Sequence, residues 1–177
     1  GFGGEDLIEL GTVPDRDGDG VVETAFREER DLTFVRYVQR SAGGWRADYP
    51  DGRSLTLGVV ATDRIARSTD ATWIAAWLPE TLTDRSGNQL VYTWSDAAAL
   101  SASARSDTAR YLTEIRYGCR TCATATTYQR VTLTYTPLAV PSLDLGPGFL
   151  VETELVPATI ATAAVTAGVA SPVRTLA

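Results

Sequence analysis

The sequence predicts an all-β protein made of consecutive antiparallel hairpins, with little or no helix. Runs of β-branched and aromatic residues recur roughly every ten to fifteen residues along the chain. Turn-forming Gly, Pro, Asp and Asn separate these runs, and no long amphipathic helix lies between them. Strands joined by short turns pair with their neighbours in the chain, so the pattern indicates one meandering sheet.

The length and composition are those of a single globular unit. The chain has 177 residues, of which 44% are hydrophobic and 21% are charged. This length is sufficient for one well-buried domain and too short for two. We therefore expect one strand-rich module over residues 1–177, with an acidic-loop hairpin (1–40), core hairpins (41–136) and tail strands (137–177).

The first elements alternate between apolar and polar residues. Asp6–Leu10 and Val21–Arg27 predict a hairpin whose tip is the acidic sequence DRDGDG, and Leu32–Val38 predicts a further strand. The next hairpin joins Trp45–Tyr49 to Ser54–Leu57 through Pro-Asp-Gly. Asp-Gly between strands favours a type I′ turn, in which both central residues have positive φ.

A second strong hairpin signal lies between Trp73 and Trp94. It predicts one strand, a turn at Asp84–Asn88, and a second strand in which Leu90, Tyr92 and Trp94 share one face. Gly87 and Asn88 are residue types that tolerate the positive φ of such a turn.

The remaining segments are less regular. Val59–Asp70 has no clear pattern, and Asp96–Arg110 predicts a long loop with at most a turn or two of helix. The further predicted strands are Tyr111–Tyr117, Tyr128–Tyr135, Phe149–Val156, Thr159–Val165 and Val173–Leu176.

Composition also bounds function. The net charge of −6 and the scattered Arg residues argue against nucleic acid as a partner. No apolar run reaches the roughly 20 residues of a membrane span. The chain has no His and no Lys, which removes the commonest general base and Schiff-base chemistry. It also has no Met, so we expect a piece of a longer protein, with any export signal outside it.

The acidic loop is the candidate metal site. Carboxylates at positions one, three, five and nine, with Gly at six, form a spacing that suits Ca²⁺. Position twelve is Phe26, so the loop is not an EF-hand. Three Asp in five residues repel one another without a cation, which favours a structural Ca²⁺ over a merely soluble turn. The predicted ligands are Asp15, Asp17, Asp19, the Val21 carbonyl and Glu23.

The two cysteines, Cys119 and Cys122, are the second candidate site. Zinc needs four ligands, and without His this chain supplies half a site. The βαβ context of a thioredoxin-type redox pair is missing. We favour a local disulfide between two strands of an exported protein; two free thiols, or a zinc site completed by another chain, are the alternatives.

Aromatic and acidic residues leave two further alternatives. The four tryptophans could form a sugar-stacking platform, although alternating aromatic residues on strands are far more often core. A glycosidase would need two facing carboxylates in a cleft. The tryptophans concerned are Trp45, Trp73, Trp77 and Trp94.

An ordered series of motifs carries a family resemblance. The series reads GWRADYPDGRSLTLG, WIAAWLPETLTDRSGNQLVYTW, YLTEIRYG and YQRVTLTY. It resembles the SpvB-type segment of bacterial toxin-complex B components, and YPDGRSLTLG is similar to one unit of the YD repeats of Rhs proteins. The resemblance runs from about Glu5 to Tyr135 and more loosely to Ala177. Pro79, where the family continues its strand, and the two cysteines depart from the pattern.

The resemblance implies a non-catalytic module of a large toxin protein. Its strands would belong to a hollow shell that encloses a toxic effector, and its partners would be the other segments of that shell and other toxin-complex subunits. The protein would be secreted or lie at the bacterial cell surface. No family catalytic residue carries over. The alternative is a Ca²⁺-stabilised binding or adhesion module on a bacterial surface.

Overall fold

The computed structural model describes residues 6–15, 20–30, 33–41, 43–104 and 106–177. These residues form a nearly all-β protein, which confirms the predicted fold class. The strands are β1 (Leu7–Val13), β2 (Glu23–Glu28), β3 (Arg36–Gln39), β4 (Trp45–Asp48), β5 (Ser54–Leu57), β6 (Arg64–Arg67), β7 (Asp70–Trp77), β8 (Pro79–Thr83), β9 (Gln89–Ser95), β10 (Tyr111–Cys119), β11 (Tyr128–Asp144), β12 (Val151–Thr166) and β13 (Val169–Leu176). The described helices are a 3₁₀ turn (Ala61–Asp63) and the single-turn α1 (Ala97–Leu100).

The large sheet is a meander. Its eleven strands lie in the order β1-β2-β3-β4-β5-β8-β9-β10-β11-β12-β13, and each pairs antiparallel with its neighbours. The hairpin β6–β7 leaves this order and forms a two-stranded sheet of its own. We call β6–β7 the strap, because it packs across one face of the large sheet, as described below.

Three hairpins of the meander use the same three-residue loop. In each, the residue before the loop donates its N–H to the carbonyl of the residue after it, and the third loop residue is a glycine with positive φ. This is a turn followed by a left-handed residue, and it replaces the type I′ turn predicted for Pro-Asp-Gly. The glycines are Gly43, Gly52 and Gly87. A two-residue turn with two positive φ values occurs instead at Ala167-Gly168, between β12 and β13.

Two predicted strands differ in the structure. The strand predicted over Leu32–Val38 begins only at Arg36, because Phe34 has a φ of 57° and interrupts the extended backbone. The strand predicted from Trp73 up to the Asp84 turn is divided at Leu78. Its first part belongs to the strap, whereas its second part, β8, pairs with β5 and β9. The Leu78 N–H donates to the Asp63 carbonyl at 2.8 Å, which fixes this division.

The carboxy-terminal strands are longer than predicted. β11 continues past Tyr135 to Asp144, and β12 runs through Pro157 as one strand where two were predicted. The pairing of β11 with β12 shifts between Pro137 and Ser142, so β11 bulges away from β12 there. Pro fits this irregular ladder because it has no N–H to donate.

The sheet has one apolar and one polar face. The register aligns an apolar row across five strands, Ala47, Leu55, Leu82, Leu90 and Tyr117. The adjacent row, which points to the other side, is more polar: Arg46, Thr56, Thr81, Val91 and Arg116. Alternation along each strand therefore separates two surfaces of different chemistry.

Two small cores lie on this sheet. The first contains Val35, Ala47 and Leu57, with Trp45 and Trp77 packed against it, so the strap covers the sheet at β4 and β5. The second contains buried residues of the β9–β10 loop and of β10 and β12, and Tyr135 of β11 packs against it. Its buried members are Ala97, Ala109, Tyr111 and Leu155.

Candidate functional site

The acidic loop is described only in part. Asp15 accepts a hydrogen bond from the Gly20 N–H through Oδ2 at 2.7 Å, and Gly20 has a φ of 83°. This bond joins the two described ends of the loop. Asp17 and Asp19 lie outside the described residues, so the calcium prediction for this loop stays a prediction.

Glu23 occupies a different position from the one predicted for a loop ligand. It is the first residue of β2, and its side chain is fully buried. Arg46 on β4 donates to its two carboxylate oxygens at 3.4 and 3.1 Å. The structure thus pairs this carboxylate with a buried guanidinium, and its role as a calcium ligand stays a prediction.

Arg46 extends this pair into a row of charges. Its Nε donates to Asp48 at 3.1 Å, and Arg36 donates to the other oxygen of Asp48 at 2.8 Å. The two carboxylates and two guanidiniums balance, and they lie on the polar face of β2, β3 and β4. A buried charge is tolerated only when it is paired and hydrogen-bonded. This row could not be predicted from the sequence, because Glu23 and Arg46 lie 23 positions apart.

The two cysteines form a disulfide in the structure. Cys119 ends β10 and Cys122 follows in a tight turn, with their Cα atoms 5.2 Å apart. The Cys122 N–H donates to the side-chain oxygen of Gln89 on β9 at 3.1 Å. Beyond the turn, Thr126 accepts the Gly168 N–H at 3.0 Å. The disulfide turn is thus linked to both β9 and the β12–β13 turn.

The four tryptophans do not form one platform. Trp45 and Trp77 meet edge to face at 5.9 Å in the core beneath the strap. The Trp94 indole donates to the Pro79 carbonyl at 2.6 Å. Trp73 is 45% exposed and lies between Arg67, which stacks on its ring, and Phe149. Trp45 and Trp77 therefore belong to the core, the Trp94 ring is tied to β8, and the Trp73 ring lies apart.

Sequence reasoning missed a pair of carboxylates where the strap leaves the sheet. Asp63 is only 4% exposed, and Oε2 of Glu80 is buried without a hydrogen-bond partner among the described residues. Burial raises the pKa of both groups, and the negative charge of Asp63 raises the pKa of Glu80 further. Arg40 and Arg64 oppose these shifts. Glu80 lies at a bulge, because its neighbours Pro79 and Thr81 pair with consecutive residues of β5. Alternation along the sequence does not show this bulge, so the pair could not be predicted.

The chemistry available to these groups is limited. Within the described ranges, no three Cys, Asp or Glu side chains cluster as metal ligands. No helix in the described part of the chain has the length and apolar character to cross a bilayer. Asp63 is buried and Glu80 is half-buried beside the strap.

Comparison with protein families gives one match. The family described as Salmonella virulence plasmid 65kDa B protein (SpvB) matches residues 22–138 of this chain, which is well over half of its length. A comparison with curated protein sequences finds no match.

Solved structures share the fold. The N-terminal domain of the effector protein SpvB from Salmonella typhimurium strain LT2 superposes with a TM-score of 0.70 at 18% identity, over 92% of this chain and 68% of that one. TcdB2-TccC3 superposes with a TM-score of 0.74 at 18% identity over 98% of this chain. The Photorhabdus luminescens Tc holotoxin pore gives 0.65 at 17% identity over 90% of this chain.

The TM-scores of these superpositions show a common fold. The chain spans only 11% of the TcdB2-TccC3 chain and 10% of the chain in the holotoxin pore. The similarity therefore concerns one segment of those long proteins.

Proposed function

The chain belongs to the SpvB family, and from this membership we propose that it is a non-catalytic structural module of a bacterial toxin-complex B or Rhs-type shell. In this role its strands form part of the wall that encloses, or helps to deliver, a toxic effector. The other segments of the same shell protein and the other toxin-complex subunits are its partners. The protein acts after secretion or at the bacterial cell surface.

The observation that carries this proposal is the eleven-stranded meander with its open faces. Such a sheet covers a large area with one layer of backbone, which suits a wall more than a compact binding domain. The accessible surface is 10347 Å² for a mass of 19.0 kDa, whereas a compact monomer of this mass has about 8400 Å². The excess supports a module that packs against neighbouring segments.

The continuity of the sheet supports one module over residues 1–177. The pair β3–β4 crosses the division proposed between residues 40 and 41, and β11 crosses the one between 136 and 137. A non-catalytic role is supported by the burial of Asp63, since a glycosidase needs its two carboxylates open to a cleft.

The encoding gene provides the direct test. We expect it to continue on the carboxy-terminal side with more strands of the YD-repeat type. A gene that ends near Ala177 would contradict the proposal. In the full-length protein, we also expect the effector to resist an added protease. Variants that unfold this module should leave the effector open to the protease.

A structural Ca²⁺ in the acidic loop is a second proposal, which rests on the spacing of its carboxylates and on the Asp15–Gly20 hydrogen bond. Thermal melting with saturating Ca²⁺ and with a chelator tests it. We expect the chelator to lower the midpoint of the wild type and to leave Asp17→Asn unchanged, because Ca²⁺ binds only the folded wild-type loop. An equal midpoint for the wild type in both buffers would retire the site.

A further inference from the structure

The turn between β11 and β12 presents an exposed apolar surface. We call residues 143–150 the leucine tip. Leu143 is 64% exposed, Leu145 70% and Leu150 42%, and Val140 on the adjoining strand is 79% exposed. Single exposed aliphatic residues are common on protein surfaces, whereas a contiguous group at one turn marks an interaction site.

The leucine tip is held in a defined shape. Asp144 accepts the Gly146 N–H at 2.8 Å, and the Gly148 N–H donates to the Leu145 carbonyl at 3.0 Å. Phe149 points inward, where it is 7% exposed and meets Trp73 of the strap edge to face. The leucines therefore project from a turn that is already ordered, which lowers the entropic cost of binding.

A groove adjoins the tip where β11 bulges away from β12. Its volume is about 360 Å³. On β11 and β12 it is lined by apolar side chains and two carboxylates: Pro137, Leu138, Pro141, Glu152, Glu154 and Leu155. Glu152 follows Val151, which pairs with Asp144 at the base of the tip. The groove thus places negative charge directly beside the exposed leucines.

The β11–β12 segment is acidic in sequence, and the Arg67 side chain near the tip is stacked on Trp73. From Val131 to Val173 the sequence contains no basic residue and three acidic ones, Asp144, Glu152 and Glu154. Fifteen of the sixteen Arg residues precede this segment. An anionic lipid surface would be repelled, because peripheral membrane binding depends on Lys and Arg. The complementary surface is apolar and carries positive charge.

We propose that the leucine tip and the adjoining groove form a docking surface for an extended protein segment in which apolar side chains alternate with Arg or Lys. The apolar side chains contact the leucines, and a cationic side chain enters the groove beside Glu152. The docking surface does not depend on the proposed shell role, since it rests on exposure, order and charge alone.

Fluorescence anisotropy with two labelled synthetic peptides tests the proposal on the full chain. One peptide alternates Leu with Arg, and the other alternates Leu with Glu. We expect the Leu–Arg peptide to bind the wild type at least tenfold more tightly than the Leu–Glu peptide. Leu145→Ser should weaken that binding at least fivefold, and Glu152→Gln should weaken it and reduce its dependence on salt.

Val169→Ser is the matched control, because Val169 is 69% exposed but lies at the opposite end of β12. It should bind as the wild type does. Equal binding of both peptides, or unchanged binding by Leu145→Ser, overturns the proposal. If the wild type binds phosphatidylcholine vesicles more tightly than it binds the Leu–Arg peptide, the proposal is overturned in favour of a membrane. If the wild type self-associates and Leu145→Ser abolishes that self-association, the proposal is overturned in favour of a second copy of the chain. A melting curve for each variant confirms that it is folded.

Discussion

Strands β2–β5 and strands β11–β13 belong to the same sheet, but they are stabilised by different means. In β2–β5, Glu23 and Arg46 form a buried ion pair on one face. On the other face, Trp45 and Trp77 pack beneath the strap. Both surfaces of this region are thus occupied by the chain itself.

The carboxy-terminal strands are long and mostly open. β12 has 16 residues, of which Leu155 and Val165 are buried, and every residue of β13 is exposed. These strands are held by the backbone ladder and by Tyr111, the first residue of β10, whose hydroxyl accepts the N–H groups of Glu154 and Leu155. One sheet thus combines a region whose two faces the chain itself covers with a region whose side chains are largely exposed.

The largest expected effect is the loss of the buried ion pair. Arg46→Met leaves the Glu23 carboxylate buried without its partner, and we expect the free energy of unfolding to fall by about 3–5 kcal/mol. Urea denaturation measures it. Arg53→Met is the control, because the Arg53–Asp51 pair is half exposed and should contribute almost nothing. If both variants lost the same free energy of unfolding, the buried ion pair would stabilise β2–β5 no more than an exposed ion pair does.

The contact between sheet and strap should give the next largest effect. Gly58 has a φ of 58°, and a Cβ there would lie 2.5 Å from the Trp77 ring. Gly58→Ala combines backbone strain with a collision, so we expect a loss of about 2–4 kcal/mol. Gly87→Ala is matched, since its φ is 82° with no atom within 4 Å, and should cost only about 1–2 kcal/mol. Similar losses would mean that the strap does not hold Trp77 against the sheet.

Reduction of the disulfide tests what stabilises the carboxy-terminal strands. Reduction of Cys119–Cys122 opens a loop of very few residues, so the chain-entropy model gives a loss of about 2 kcal/mol or less. Thermal melting with and without a phosphine reductant measures it, and Cys119→Ser/Cys122→Ala should not respond to the reductant. If reduction destabilised the protein more than Arg46→Met does, the disulfide would contribute more to stability than the buried ion pair of β2–β5.

The carboxylate pair should give the smallest effect, as a dependence on pH. The raised pKa of Glu80 and Asp63 means that the folded protein binds protons more tightly than the unfolded chain does. The penalty is complete above the folded pKa and disappears as the pH falls toward 4.5, the ordinary value for Glu. The melting midpoint should therefore rise between pH 7 and about pH 5.

Glu80→Gln isolates this contribution. It should be more stable than the wild type at pH 7 and should show a flatter pH profile, because the amide carries no charge to bury. Glu9→Gln, at an exposed position of β1, is the control and should follow the wild-type profile. A wild-type midpoint that falls steadily from pH 7 to pH 5 in parallel with Glu80→Gln would contradict the assignment.

The sequence predicted the meander because its information is local. Gly52 and Gly87 stand where the chain reverses, and strands such as Tyr111–Tyr117 alternate clearly. The strap was not predicted, since the break at Leu78 depends on a hydrogen bond to Asp63, 15 residues away. The left-handed Phe34 likewise has no local signal.

The candidate sites also differ in whether local sequence information is enough to predict them. The chain has two cysteines and no His, so a local disulfide could be favoured from the sequence alone. The partner of Glu23 could not, because only the register of β2, β3 and β4 brings Arg46 beneath it. A carboxylate that follows an acidic loop has the same local pattern whether it faces a cation or a buried guanidinium.

The repeated three-residue loop makes the sheet extensible. Because Gly43, Gly52 and Gly87 close their hairpins in the same way, a hairpin could be duplicated or deleted without changing the register of the strands on either side. Each added hairpin would widen the sheet by two strand spacings, about 9.6 Å. A gene that gains or loses such units would therefore change the dimensions of its product in fixed steps, while the geometry of each turn stays the same.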